Sequence, residues 1–235
     1  MKEPRRFEVP YRGYALVGDE VGEDLPTKVF MLHGAGEAHR GKMAPLREEL
    51  AERGIGSWAF DLVGHGETGG ALARSSLADR TDQAGAVIEH LGLEAPLNVI
   101  AASMSAHTAV QLTRTHDVAA MALIVPAMYS RLAYRVPFDG GFTEIIRRPR
   151  SWRDSDGWEI LRRFEGRLLV VGAGEDRVIP REVIRLFHDS APGSSRRTLH
   201  VVEGYGHMLF TEMRQRGDPA MKTVLRLLVE TFCLV

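Results

Sequence analysis

Short apolar runs alternate along this chain with longer stretches in which apolar residues return every three or four positions. The runs are "KVFML" (28–32), "GSWAF" (56–60), "LNVIAA" (97–102), "AMALIV" (120–125), "RLLVVGAG" (167–174) and "TLHVVEG" (198–204). Each is brief and apolar on both faces, as strands buried in a parallel sheet are. "EVP" (8–10) and "GYALVG" (13–18) read as one antiparallel hairpin. The helical stretches fall between the runs. Residues 41–53 put Met43, Leu46, Leu50 and Ala51 on one face, with Gly54 as a stop. Residues 77–91 gather Leu77, Ala84, Val87, Ile88 and Leu91 before Gly92, and residues 104–115 gather Ala106, Ala109, Val110 and Leu112. Residues 181–189 and 218–233 supply two more helices. Strands alternating with helices imply right-handed crossovers and a parallel sheet covered on both faces.

Residues 127–166 break this rhythm. They lie between two strands but are far longer than one crossover helix needs. They hold Tyr129, Tyr134, Phe138, Phe142, Trp152 and Trp158, together with eight Arg. No low-complexity linker flanks them, so the expectation is one domain over 1–235 with 127–166 as a cap inserted over the sheet. Phe138, Phe142, Trp152 and Trp158 are its candidate substrate-binding residues. Its Arg residues are expected to be solvated or paired with acids of the same segment.

Composition narrows the function classes. With 44% hydrophobic and 26% charged residues and a formal net charge of −1, nothing marks nucleic acid or an anionic membrane surface as a partner. Cys233 is the only cysteine, so neither an intrachain disulfide nor a cysteine metal cluster is expected. "MKEPRRFEVP" has no apolar core of a secretory signal, and no run suits a membrane helix. A cytoplasmic protein is the expectation.

The chemistry centres on "NVIAASMSAHTA" (98–109), a strand running through a sharp turn into a helix with a serine at the bend. Such an apex serine sits in strained backbone and needs small neighbours two residues away on each side. With Ser103 as apex the neighbours are Ala101 and Ser105. With Ser105 as apex one neighbour would be the bulky His107. The spacing selects Ser103. A nucleophilic serine also needs a base, an orienting acid and donors for an oxyanion. "VVGAGEDRVIP" ends a strand with Asp176, "VVEGYGH" ends the last strand with His207, and "FMLHGAG" ends the first parallel strand. The backbone N–H groups of Ala35 and Met104 are the candidate oxyanion donors. Glu175 neighbours the acid, but no carboxylate follows the strand at 120–125.

With His33-Gly34-Ala35-Gly36, "DLVGHGET" (61–68), "AASMS" (101–105), "GEDRVIP" (174–180) and "GYGH" (204–207) in this order, the chain resembles the α/β-hydrolase superfamily. Within it the chain looks most like small bacterial esterases, acyl thioesterases and their serine-aminopeptidase-like relatives. The resemblance implies an α/β fold with a mostly parallel sheet of about eight strands, helices on both faces and a helical cap. It also implies a cofactor-free serine hydrolase acting on a small-molecule acyl ester or thioester, possibly carrier-linked. The rival activities are a peptidase or amidase, a non-hydrolytic cyclase, and a ligand-binding protein. The usual G-x-S-x-G is replaced by Ala-Ala-Ser-Met-Ser, with neither glycine. His33 and His65 read as structural braces. His39, His90, His107, His116, His188 and His200 show no metal-ligand spacing and read as solvated or capping.

Overall fold

The computed structural model describes residues 2–217 and 219–233. Eight strands form one sheet: β1 (Arg5–Tyr11), β2 (Tyr14–Val21), β3 (Thr27–Leu32), β4 (Ile55–Phe60), β5 (Leu97–Ala102), β6 (Val118–Ile124), β7 (Arg167–Ala173) and β8 (Arg196–Val202). Their order is β1-β2-β4-β3-β5-β6-β7-β8. β1 and β2 pair antiparallel, β2 joins β4 antiparallel, and every other pair is parallel.

Side chains of a strand point alternately to opposite faces, and β3 shows what this does. Phe30 and Leu32 enter the core under α2 (Leu77–Leu91), α3 (Met104–Leu112), α5 (Gly157–Arg162) and α6 (Arg181–Asp189). Val29 and Met31 enter a second core under α1 (Ala44–Ala51), α7 (Leu209–Arg216) and α8 (Pro219–Phe232). A sheet apolar on both faces thus separates two hydrophobic layers, each worth on the order of 25 cal/mol per Å² of apolar surface removed from water. Ser76 caps α2 by accepting from the Asp79 N–H at 3.1 Å, and Gly92 ends it in the left-handed region (φ 59°).

Most boundaries shift by one to three residues from the sequence reading, and three of the shifts are instructive. The helix expected over 41–53 begins only at Ala44, after a 3₁₀ turn over Arg40–Met43, with Pro45 in its first turn; Pro has no N–H to give but fits where helix amides lack partners anyway. The strand expected to include Val125 stops at Ile124, because Val125 turns to φ 41°. The last helix spans Pro219–Phe232, and position 218 of the expected range lies outside the described residues. α7 was not anticipated at all.

Between β6 and β7 the chain makes short turns, α4 (Thr143–Ile146) and α5. This segment packs on the α2–α3–α6 face. Trp158 meets Phe187 of α6 edge-on at 5.2 Å, and its Nε1 donates to the Trp152 carbonyl at 2.7 Å. Phe142 is buried and packs against Phe138 (4.8 Å) and Tyr129 (5.6 Å). Several of its arginines pair locally, as Arg131 does with Asp154 (3.1 Å) and Arg163 with Glu159 (3.2 Å), whereas Arg153 reaches Glu182 of α6. Among the described residues no helix is long and apolar enough to cross a membrane.

Candidate active site

Ser103 follows the last residue of β5 and carries φ 50°, ψ −117°, a conformation that costs a non-glycine residue roughly 1–3 kcal/mol. The neighbouring strand holds it there. Its N–H donates to the Ile124 carbonyl at 2.9 Å, and its own carbonyl accepts from Ala106 and Ala127, both at 3.0 Å. Ala101 and Ser105 are fully buried, which accounts for the small residues that flank the bend.

His207 lies beyond the end of β8 and Asp176 beyond the end of β7. The Ser103 hydroxyl lies 3.0 Å from His207 Nε2, and His207 Nδ1 lies 2.8 Å from Asp176 Oδ2. The other carboxylate oxygen, Oδ1, accepts from the Val178 and Ile179 amides at 2.8 and 2.9 Å. The Asp176 side chain is 1% exposed and that of His207 is 19% exposed. Burial opposes ionisation of Asp176. The hydrogen bonds from His207, Ile179 and Val178 outweigh it and hold the carboxyl below its usual range. The neighbouring Glu175 is exposed and makes no such contact; its N–H donates to the Tyr205 carbonyl.

The loop after β3 passes beside Ser103. A Cβ at Gly34 would lie 3.4 Å from the Ser103 Cβ, so this backbone runs directly against the Ser103 side chain. Met104 opens α3, where the first amides have no partner within the helix. Among the described residues, no hydrogen bond is seen from the Ala35 N–H.

Two imidazoles brace this loop, as the sequence suggested. His33 Nε2 accepts from the Leu62 N–H at 3.1 Å, so its proton sits on Nδ1 and is donated to the Gly34 carbonyl at 2.8 Å. His65 packs against His33 with ring centroids 4.7 Å apart. Burial, reinforced by the nearby Arg80 cation, pushes both pKa values down and keeps both rings neutral at pH 7. The "DLVGHGET" stretch is held by the fully buried Asp61, which accepts from the backbone N–H groups of Arg40 (2.7 Å) and Glu67 (3.0 Å) and also pairs with the Arg40 guanidinium. A Cβ at Gly66 would collide with that carboxylate at 2.1 Å, so this turn requires glycine.

A cavity of about 1140 Å³ opens at Ser103 and His207. It runs along the α1–α7–α8 side, with Met43, Leu46, Val125, Leu209, Met213 and Met221 among its walls. Glu37, Glu48, Glu49 and Glu52 border it from the α1 side, and Arg214 and Lys222 from the other. Phe138, Phe142, Trp152 and Trp158 do not line it. Their rings fill the layers between the 127–166 segment and the helices beneath, because that segment leaves β6 toward the opposite face of the sheet.

His107, read from the sequence as solvated or capping, is fully buried on α3. Its Nδ1 lies 3.1 Å from Met128 Sδ, and its ring meets Tyr129 edge-on at 5.8 Å. His39 does cap, accepting from the Gly41 N–H at 3.2 Å. Sequence reasoning also missed Arg80 and the Ser105 hydroxyl. The signal for Arg80 was present: it falls on the apolar face of α2, three residues after Leu77 and four before Ala84.

Residues 25–150 match the family model described as serine aminopeptidase, S33. The chain belongs to this family. Its fold is that of the α/β-hydrolases, and solved structures agree. Est1E from Butyrivibrio proteoclasticus, with ferulic acid bound, superposes with a TM-score of 0.75 at 15% identity, over 96% of this chain and 98% of that one. A thermophilic esterase from Thermogutta terrifontis gives 0.71 at 17% identity over 94% and 98%. A monoacylglycerol lipase from Paleococcus ferrophilus gives 0.69 at 20% identity over 89% and 98%. At these identities the likeness speaks for the fold alone. No protein of curated function matches the sequence.

Proposed function

We propose that this family member is a serine hydrolase that cleaves carboxylic esters or thioesters through an acyl-enzyme on Ser103. The observation that carries the reading is the hydrogen-bonded line Ser103–His207–Asp176 at the mouth of a largely apolar cavity. His207 Nε2 takes the Ser103 proton as Oγ attacks the acyl carbon. The tetrahedral oxyanion is held by the Ala35 and Met104 amides. The alcohol or thiol leaves with the proton returned by His207, and water then repeats the sequence to free the acid. Asp176 holds the imidazole in the tautomer with Nδ1–H and stabilises its charged form. These steps call on no cofactor. The chain is one domain over 1–235, with 127–166 as an insertion within it, since the strands before and after that segment pair with each other.

The test is fluorophosphonate labelling with mass-spectrometric site mapping, alongside p-nitrophenyl esters and acyl-CoA thioesters of increasing chain length. Labelling at Ser103 with turnover of either series supports the reading; a protein that takes no label and turns over neither series refutes it. A second reading, an aminopeptidase, draws on Glu48 along the cavity, whose carboxylate suits a substrate ammonium, whereas Glu37 pairs with Lys42 and Glu49 and Glu52 lie beside Arg53. Turnover of aminoacyl p-nitroanilides well above that of the esters would select it.

A further inference from the structure

Arg80 is the largest fully buried side chain of the molecule's described residues, and no carboxylate pairs with it. Isolated buried cations are costly and are seldom kept without a compensating interaction. Here the compensation comes from the loop beside Ser103. Nη2 lies 3.0 Å from the His33 carbonyl, 2.9 Å from the Gly34 carbonyl and 2.9 Å from Ser105 Oγ. Ser105 Oγ in turn donates to the His33 carbonyl at 2.5 Å. The Gly34 carbonyl therefore accepts from both Arg80 and His33 Nδ1, which occupies both of its lone pairs. Burial pulls the Arg80 pKa down to about 10, so the side chain stays charged at pH 7.

The Gly34 carbonyl belongs to the same peptide unit as the Ala35 N–H. We infer that Arg80 is a positioning residue that fixes and polarises the Gly34–Ala35 peptide, so that the Ala35 N–H is aimed at the oxyanion, with Ser105 as the tie between that cation and the helix of the nucleophile. This rests on the reading of Ser103 and Ala35 given above. Three physical links carry it. A peptide whose oxygen is held by two donors cannot turn over without taking from the buried His33 Nδ1–H its acceptor and from Arg80 one of three. Hydrogen bonds in a chain strengthen one another, so a charge on the oxygen makes the N–H of that peptide a better donor. The serine that replaces the second glycine of the usual elbow sequence supplies a hydroxyl that glycine lacks, and both its donor and its acceptor capacity are used here. Arg80 itself touches neither Ser103 nor the cavity.

The experiment compares the parent with Arg80→Met, Arg80→Lys and Ser105→Ala, using p-nitrophenyl butyrate turnover, fluorophosphonate labelling, and affinity for a trifluoromethyl ketone that mimics the tetrahedral adduct. For Arg80→Met, kcat is expected to fall about 100-fold, the cost of a group misplaced by roughly 1 Å. KM should stay within twofold, the pH–rate midpoint should not move, and ketone affinity should fall by the same factor as kcat/KM. Arg80→Lys should recover part of the loss. Ser105→Ala keeps the cation and is expected to lose about fivefold in both kcat and ketone affinity, which keeps the test open if Arg80→Met does not fold. The inference is overturned if Arg80→Met retains kcat within threefold, or if kcat falls while ketone affinity holds. Should Arg80→Met fail to fold, an unaffected Ser105→Ala overturns it as well. A parent that neither labels nor turns over ester overturns the Ser103 reading first, and this inference with it.

Discussion

Two faces of the sheet meet at Ser103, and they are built differently. On the α2–α3–α6 face, the 127–166 segment is packed closed: Trp158 on Phe187, Phe138 on Phe142, and His107 among Met128 and Tyr129. On the α1–α7–α8 face the layer is open, and the cavity is walled by flexible methionines such as Met43, Met213 and Met221. Aromatic rings bury much area with few rotamers and suit a layer that must stay shut. Unbranched methionine adapts to irregular gaps. Aromatic content therefore marked the stiff side of the site, whereas the cavity lies on the pliable side.

The largest effect should come from breaking the line that both faces share. On the proposed reading of Ser103, His207 and Asp176, Ser103→Ala and Asp176→Asn are each expected to lower kcat about 10⁴-fold or more, since the members of such a triad act as a unit. Glu175→Gln should stay within twofold. Steady-state kinetics on p-nitrophenyl butyrate checks this, and a crippled Glu175→Gln would move the acid by one residue.

Trp158→Ala attacks the closed face alone. Trp158 is only partly buried, so the change should lower stability by about 1–3 kcal/mol, through the gap left against Phe187. The ratio of kcat/KM values for short and long acyl esters should not change in the folded fraction. Urea denaturation and chain-length profiles give the two readouts, and a shifted profile would return the substrate to the 127–166 segment.

Acid should also loosen the closed face. Burial pushes the pKa of His107 down to about 4, with the Asp156 carboxylate only partly opposing it. The unfolded chain takes up this proton near pH 6.5 while the folded one refuses it, so stability rises with pH across that window. As pH falls from about 6.5 to about 4, His107 should cost about 1.4 kcal/mol per pH unit. His107→Gln should flatten that slope in thermal melts at pH 4.5–7. An unchanged slope would exonerate His107 and leave His33, His65 and His200, whose pKa values burial also lowers, as the sources.

Much of this arrangement was legible in the chain. The doubly apolar strands fixed a covered parallel sheet, and the strand ends put Ser103, Asp176 and His207 in reach of one another because parallel strands end on the same side. Val125 illustrates what was not legible. A β-branched residue rarely takes positive φ, yet Val125 does so while its N–H donates to the Val171 carbonyl of the neighbouring strand at 2.7 Å, a contact distant in sequence. The inserted segment begins just after this turn, and spacing alone did not assign its aromatic residues to a layer. α7 was hidden for a similar reason: "LFTEMRQR" has only Leu209 and Met213 buried, too short a stripe to stand out.

The smallest effect is the sharpest test of the open face. If the acyl chain lies along the α1–α7–α8 wall, it runs past Met43 and Met221, which are only partly buried and so have surface to offer. Each methylene moved from water to an apolar wall is worth about 0.8 kcal/mol, or roughly fourfold in kcat/KM. Met221→Trp should fill part of the channel, so the rise in kcat/KM with chain length should stop one or two methylenes earlier than in the parent. Met221→Ala should let it run on, at some loss for short chains that no longer fill the space. Neither change touches the Ser103–His207–Asp176 line, so labelling by a small fluorophosphonate should keep the parental rate. The wall also carries Lys222 and Arg214, which would favour an anionic group on the substrate; Lys222→Gln should then weaken acyl-CoA turnover more than that of neutral esters, with the difference shrinking at high salt. A chain-length profile that ignores Met221 in both directions would show that the acyl group takes another route from Ser103.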